Sequence, residues 1–207
     1  MLFLSVRFHY DKREGKNGQG GARTMSKKVL IITGDAVEAL EVYYPYYRLL
    51  EEGHDVTIAA PKKKKLHTVV HDFADWDTYV EKQGYLIDAH ASFAEIDPTQ
   101  YDALVIPGGR APEYIRLDEN VQRIVRHFFE ANKPIAAICH ASLIFETMPE
   151  VLKGRSLTAY IACKPGVEAL GATYVSDRTV HVDSNLVSAH AWPDLPAFMR
   201  EFLRLLQ

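Results

Sequence analysis

Cys139 is the residue best placed for chemistry in this sequence. It directly follows the short apolar run Ile135–Ile138, which is typical of a buried strand, and the segment Ser142–Glu146 after it favours a helix. A cysteine on such a strand-to-helix turn has its sulfur held up at the sheet edge, and the helix N-terminus favours the thiolate. We therefore predict an accessible, ionised nucleophile. The alternative is a buried structural cysteine, which is the role we expect for Cys163.

Two further turns could supply the groups that a nucleophile needs. The sequence Pro107–Arg110 follows another apolar run, and its paired glycines, Gly108 and Gly109, let backbone N–H groups approach a ligand as an oxyanion hole requires. An ordinary tight turn would show the same sequence pattern. Glu38 stands near the start of a predicted helix, where a carboxylate could complement the helix dipole. If it faces the cysteine instead, it can move a proton.

The elements around these turns predict one three-layer α/β/α domain. Four short apolar runs read as parallel strands buried on both faces, namely Val29–Thr33, Val56–Ala60, Ala103–Pro107 and Ile135–Ile138. Three amphipathic segments read as helices, around Val42–Leu50 (with Pro45 expected to kink it), Val121–Phe129 and Leu195–Leu206. Residues 62–91 read as an inserted loop or hairpin. Because ligands bind at the carboxyl ends of parallel strands, the three turns should meet at one site.

Composition limits the function classes. The chain has 207 residues, 47% of them hydrophobic and 25% charged, which fits one ordinary globular domain and no apolar span that crosses a bilayer. Of its 24 basic residues, five lie in the first 26 positions, so the remainder is acidic and argues against nucleic acid as a partner. We interpret residues 1–25 as a flexible leader and 26–207 as the domain. Two cysteines without an export signal fit the cytoplasm.

The combination of these motifs resembles the ThiJ/PfpI superfamily, which contains deglycases and PfpI-type peptidases. Four stretches carry the resemblance, Lys28–Pro45, Pro107–Tyr114, Lys133–His140 and Asn185–Pro196. Three others look most like the branch with the plant glutathione-independent glyoxalases, Asp75–Lys82, Thr158–Tyr160 and Ala191–Pro193. The resemblance implies a flavodoxin-like sandwich with a mainly parallel sheet, as in class I glutamine amidotransferases. It also implies a homo-oligomer (dimer, trimer or hexamer). The sequence contains no Walker loop and no dinucleotide fingerprint, so we expect no cofactor.

The same resemblance assigns roles to particular residues. Cys139 matches the family nucleophile, and Glu38 matches the glutamate that hydrogen-bonds to its sulfur. The backbone N–H groups of Gly109 and His140 match the oxyanion hole. Glu113 matches the glutamate that, in PfpI-type oligomers, reaches across an interface to the neighbouring subunit's histidine.

Other residues are weaker candidates. Gly108, Tyr160 and Trp192 could line the pocket. His190 could be a second catalytic histidine held by Asp194, although a histidine at a strand end is more often simply a satisfied polar group. Within the insert, Trp76, Tyr79 and Tyr85 could line a pocket, but packing is the favoured role. The insert also contains His67, His71, Asp72, Asp75 and Asp77, whose spacing matches no standard ligand motif, so we expect no metal.

Three functions stay open at this point. The first is a cofactor-free enzyme that adds Cys139 to methylglyoxal, glyoxal or their glycation adducts, with Glu38 moving a proton through an enediol. The second is a cysteine peptidase or amidohydrolase, which needs Glu113 and His140 to form a triad between subunits. The third is a redox sensor or chaperone in which Cys139 oxidises to a sulfinate.

Overall fold

The computed structural model describes residues 25–207. The expected leader, residues 1–25, therefore lies almost wholly outside the described residues. The described part contains twelve strands, which are β1 (Lys28–Ile32), β2 (Val37–Glu38), β3 (Asp55–Ala60), β4 (Lys65–Asp72), β5 (Val80–Asp88), β6 (Ala91–Ser92), β7 (Ala103–Ile106), β8 (Ile135–Ile138), β9 (Ser156–Leu157), β10 (Thr173–Tyr174), β11 (Val180–Asp183) and β12 (Leu186–Ala189). Its α-helices are α1 (Ala39–Glu51), α2 (Ala111–Ile115), α3 (Glu119–Glu130), α4 (Lys164–Ala169) and α5 (Leu195–Leu205).

A seven-stranded sheet organises the molecule, with strand order β11-β12-β8-β7-β1-β3-β6. Neighbouring strands are parallel except for β11, which runs antiparallel to β12. The four apolar runs of the sequence are the strands β1, β3, β7 and β8, and three of them (β1, β7 and β8) are wholly or almost wholly buried. The predicted α/β fold with a mainly parallel sheet is confirmed.

Helices cover both faces of this sheet because each strand carries apolar side chains on both sides. On one face, α1 and α5 contribute buried side chains such as Val42, Leu49, Phe198 and Phe202. On the other face, α3 contributes Val121, Ile124, Val125 and Phe128. The helix α1 continues through Pro45, which is buried. The described residues contain no helix long and apolar enough to cross a membrane.

Two local elements refine the sequence-based expectations. The segment after β8 is a 3₁₀ helix, Cys139–Thr147, and not the α-helix expected from Ser142. Its largely buried residues, such as Ile144 and Phe145, fit a tight turn of chain packed into the core. The insert is a hairpin in which β4 pairs antiparallel with β5 and parallel with the short β2. This hairpin stands next to the carboxyl ends of the central strands, because β2 follows β1 directly.

Candidate active site

Cys139 lies on a strained turn at the carboxyl end of β8. Its φ angle is +61°, which is left-handed and costs a non-glycine residue about 1–2 kcal/mol. The preceding residue, Ile138, is extended, so the chain turns sharply at the cysteine itself. This is the geometry of a nucleophile elbow, as the sequence predicted.

The carboxylate beside the sulfur is Glu41, and the prediction that Glu38 occupies this place is wrong. Glu41 lies one turn into α1, is fully buried, and faces the Cys139 thiol. Its Oε2 accepts the backbone N–H of Gly108 at 2.9 Å. Its Oε1 is buried with no hydrogen-bond partner at conventional distance in residues 25–207, which leaves it available to the thiol. Glu38 instead caps the helix, since its Oε2 accepts the N–H of Glu41 at 2.9 Å.

A signal for Glu41 is present in the sequence. Helix α1 buries Val42, Pro45 and Leu49 on its inner face, and Glu41 falls on that same stripe. A carboxylate on the apolar face of an amphipathic helix requires a partner, and the family resemblance alone did not distinguish it from Glu38 three residues earlier.

The expectation of an exposed thiolate is also wrong. Cys139 is only 3% exposed, and burial raises the pKa of its thiol well above the usual value, with the neighbouring Glu41 adding to the rise. Burial likewise raises the pKa of Glu41 to about 8. The two groups therefore titrate as a pair that holds its protons at neutral pH.

Backbone N–H groups do converge on the sulfur. Those of Gly109 and His140 hydrogen-bond to Cys139 and oppose the rise in its pKa. A side chain at Gly108 would collide with the site, because a Cβ there would lie 2.6 Å from Glu41 Oε2 and 2.7 Å from Cys139 Cβ. Gly109 has a φ of +73° and pairs with Val37 through an isolated antiparallel bridge. The glycine pair thus permits the close backbone approach that an oxyanion hole needs.

Aromatic rings form the wall beside the cysteine. The Nδ1 atom of His140 lies 3.3 Å from Cys139 Sγ, and burial lowers the pKa of this histidine to about 4, so its ring is neutral at pH 7. The His140 ring centroid lies 4.9 Å from that of Tyr160. The Tyr79 ring meets both edge-on, at 6.0 Å and 5.9 Å. Tyr79 therefore lines the site, where the sequence favoured a packing role.

The remaining predicted residues are not gathered at the sulfur. Glu113 is exposed, and no hydrogen bond joins it to His140 within the described chain. The His190 ring stacks on Tyr174 with its Nε2 3.4 Å from the tyrosine hydroxyl oxygen, and Trp192 stacks on an insert phenylalanine. Asp194 does not hold His190, because its Oδ2 accepts a backbone N–H, that of the residue at position 191, at 3.3 Å. Cys163 is buried in the opposite layer of the core.

The insert residues considered for a metal are not gathered into one cluster in the described part of the chain. Within residues 25–207, no group of three or more His, Cys, Asp or Glu side chains is arranged to hold a metal ion. His71 instead places its Nε2 atom 3.0 Å from Glu81 Oε2. The same Glu81 binds the guanidinium of Arg110 through two hydrogen bonds of 2.7 Å. These contacts anchor the hairpin to the residue that follows Gly109.

We expect Glu41→Gln to stabilise the protein at neutral and mildly alkaline pH. The folded state keeps a proton on Glu41 up to about pH 8, whereas the unfolded chain releases it near 4.5, so stability falls as the pH rises between these values. The glutamine removes this loss, a gain of about 2–4 kcal/mol at pH 7.5. Urea unfolding at pH 5 and pH 7.5 measures it. Glu51→Gln, at an exposed position of the same helix, is the control, and an equal pH dependence in both variants would contradict the assignment.

Gly109→Ala should be far more damaging than its positive φ alone requires. A Cβ at Gly109 would lie 2.5 Å from the backbone oxygen of Ala36 and would also collide with the backbone N of Glu38. Gly53 is the matched control, because its φ is +82° and a Cβ there meets nothing within 4 Å. We expect a loss of about 1–2 kcal/mol for Gly53→Ala and at least twice that for Gly109→Ala, measured by thermal unfolding. Equal losses would show that the turn can move aside.

Known proteins are similar to this chain in sequence and in fold. The model of the DJ-1/PfpI family matches residues 27–205. A deglycase of Thermococcus kodakarensis is 41% identical over 180 residues, which cover 87% of this chain and 99% of the relative. The DJ-1 homolog D of Arabidopsis thaliana is 40% identical over 187 residues, and this chain spans about half of it (48%). The plant and archaeal relatives are thus almost equally similar.

Solved structures agree with these matches. Drosophila melanogaster DJ-1beta superposes with a TM-score of 0.74 at 25% identity, covering 88% of this chain and 91% of that one. A two-domain protein of Anabaena variabilis with DJ-1/ThiJ/PfpI-like and ferritin-like domains gives a TM-score of 0.78 at 28% identity, covering 87% of this chain and 48% of that one. A strand-to-helix cysteine beside a buried glutamate, set in this sheet, accompanies the sequence match. The chain therefore belongs to the DJ-1/PfpI family.

Proposed function

We propose that this protein is a cofactor-free enzyme that uses Cys139 to act on reactive dicarbonyls such as methylglyoxal and glyoxal, or on their early adducts with amines. One observation carries the proposal. A buried carboxyl group, Glu41, faces the sulfur on a strained turn where two backbone N–H groups also converge. This arrangement provides a nucleophile, a group that moves protons and donors for an oxyanion. Relatives that are named deglycases at about 40% identity support it.

The first step forms a hemithioacetal. In the reactive form the pair has lost one proton and Glu41 is a carboxylate, so the sulfur attacks the aldehyde carbon of methylglyoxal while Glu41 takes the thiol proton. A C–S bond forms, and the electron pair of the C=O bond moves to oxygen, where the N–H groups of Gly109 and His140 stabilise the charge. Glu41 then delivers the proton to this oxygen. The neutral ring of His140 does not supply a competing positive charge.

The second step moves hydrogen between the two carbons. Glu41, again a carboxylate, removes the proton from the carbon bonded to sulfur, and the electron pair moves through a new C=C bond to the second carbonyl oxygen, which gives an enediolate. Glu41 returns this proton to the neighbouring carbon while the hydroxyl proton passes from the first oxygen to the second, which gives a lactoyl thioester. Water then breaks the C–S bond, and lactate and the free thiol result. With an amine adduct as substrate, the same sulfur attacks the carbon that bears the amine, the C–N bond breaks, and Glu41 passes the thiol proton to the departing amine.

We also propose that the chain works as a homo-oligomer in the cytoplasm. Large exposed side chains such as Tyr47 and Leu117 support a contact surface between copies. Light scattering of the purified protein tests the assembly.

Separate substitutions of Cys139, Glu41 and Glu38 should show which glutamate takes part in the reaction. Cys139→Ala and Glu41→Gln should each lower the turnover of methylglyoxal to lactate by at least 100-fold, because one removes the nucleophile and the other the proton carrier. Glu38→Gln keeps a capping oxygen and should retain activity within about fivefold. The assay follows lactate formation without glutathione. Unchanged turnover in Cys139→Ala, or a larger loss in Glu38→Gln than in Glu41→Gln, would overturn the mechanism.

The dependence of kcat/KM on pH should follow the titration of the buried pair, Glu41 and Cys139. The pair must lose one proton before the sulfur can attack, and burial raises the pKa of Glu41 to about 8. We therefore expect kcat/KM to increase with pH and to level off above about 8. His140, with a pKa lowered to about 4, should add no inflection between pH 5 and 8. A flat profile from pH 6 to 9 would contradict the protonated pair.

A cysteine peptidase is the second candidate. The observation that favours it is the 3.3 Å distance between His140 Nδ1 and Cys139 Sγ, which would let the histidine exchange a proton with the sulfur. A relative from Bacillus subtilis, 31% identical, carries the name putative cysteine protease. Glu113 would have to approach His140 from another copy of the chain. Hydrolysis of casein that is lost in Glu113→Gln, while dicarbonyl turnover remains, would identify this activity.

A further inference from the structure

Tyr79 reaches the candidate active site from the hairpin, an element outside the sheet that carries Cys139. It lies between β4 and β5, and its half-buried ring meets the rings of His140 and Tyr160 edge-on. Cys139 is among the nearby groups that raise the pKa of the Tyr79 hydroxyl, after burial as the main cause. The Tyr79 ring thus lies against the histidine whose Nδ1 atom is 3.3 Å from Cys139 Sγ.

Within the described residues, the Tyr79 hydroxyl leaves its hydrogen-bond donor unused. Other tyrosines on the same protein use theirs, since Tyr43 donates to Leu86 O at 2.7 Å and Tyr114 donates to Asp35 O at 3.0 Å. No protein hydrogen bond to the Tyr79 hydroxyl occurs in the part of the chain from residue 25 onward. A partly buried tyrosine usually finds a partner for its O–H. The spare donor at the mouth of a cysteine site points to a ligand oxygen.

Neighbouring side chains hold the Tyr79 ring in place. The His71 ring centroid lies 4.4 Å from that of Tyr79, and His71 is held by Glu81 on β5. Glu81 also binds Arg110, whose backbone N–H donates to Ala36 O at 2.8 Å. Because Arg110 follows Gly109, these contacts connect the Tyr79 ring to the backbone N–H of Gly109. A donor held in this way costs little reorganisation when charge develops beside it.

We propose that Tyr79 is a catalytic residue whose O–H donates a hydrogen bond to the carbonyl oxygen of the substrate as the sulfur adds. It would act as a third donor, beside the N–H groups of Gly109 and His140. The C–S bond forms and the C=O electron pair moves to oxygen as described above, and Tyr79 keeps its proton throughout. The assignment rests on the proposed function, namely that Cys139 adds to carbonyl compounds.

The first test compares Tyr79→Phe with Tyr85→Phe. Tyr85 lies on β5 of the same hairpin and is 82% exposed, so it controls for loss of a hydroxyl from this element. We expect Tyr79→Phe to lower kcat for methylglyoxal by tenfold or more with KM changed less than threefold. Tyr85→Phe should stay within twofold of the wild type. Equal activity of the two variants would overturn the proposal.

The second test needs no turnover. Acetaldehyde has one carbonyl group, so it can form the hemithioacetal but cannot undergo the proton shift between two carbons. We would measure how much acetaldehyde half-protects Cys139 from alkylation by iodoacetamide, using mass spectrometry. In Tyr79→Phe this concentration should rise about tenfold, while the alkylation rate without aldehyde stays that of the wild type. A merely structural role would change the alkylation rate itself.

The outcomes of the two tests separate the proposals. If the wild type converts no dicarbonyl but acetaldehyde protects it better than it protects Tyr79→Phe, the proposed function fails and the role of Tyr79 stands. If acetaldehyde protects both proteins equally, Tyr79 is no donor, whatever the turnover. If acetaldehyde protects neither, Cys139 does not add to carbonyls and both proposals are overturned.

Discussion

The contact between the carboxyl group of Glu41 and the sulfur of Cys139 is the constraint around which this end of the fold is built. Both groups are buried, and an acid and a thiol placed together without water hold their protons more tightly than either would in solution. Bringing them together requires the left-handed turn at Cys139 and a glycine at position 108, where any side chain would strike both. The strain is concentrated where the chemistry is proposed.

The arrangement differs from a cysteine activated by exposure and a helix dipole. Burial of Cys139 makes the free thiolate costly, so its reactivity depends on a proton passing between two adjacent groups rather than on a standing charge. The neutral ring of His140 fits the same logic, because a buried imidazolium beside the sulfur would be costly as well. Such a site is shielded from solvent, and in the proposed mechanism it reacts only when a carbonyl carbon is placed against the sulfur.

Much of the fold and the position of the nucleophile could be predicted from the sequence. Uniformly apolar runs identified β1, β3, β7 and β8, because a strand buried on both faces leaves this pattern with little ambiguity. The choice between Glu38 and Glu41 rests on a weaker signal, the position of Glu41 on the apolar stripe of α1. Both lie within one turn at the start of α1, and which of them reaches the sulfur depends on the direction of the helix axis. The place of Tyr79 at the site could not be predicted either, since the register of a hairpin and the position of its tip follow from tertiary pairing.

The hairpin of β4 and β5 carries neither Cys139 nor Glu41. Besides pairing with β2 and binding Arg110 through Glu81, it packs Leu66 and Ile87 into the core, whereas residues 72–78 at its tip are exposed. Cys139 and Glu41 belong to the central sheet and α1. An exposed tip of this kind can change its length and sequence without disturbing the core. Under the proposed function, a change confined to this tip would alter what reaches the sulfur, while Cys139 and Glu41 beneath it keep their places.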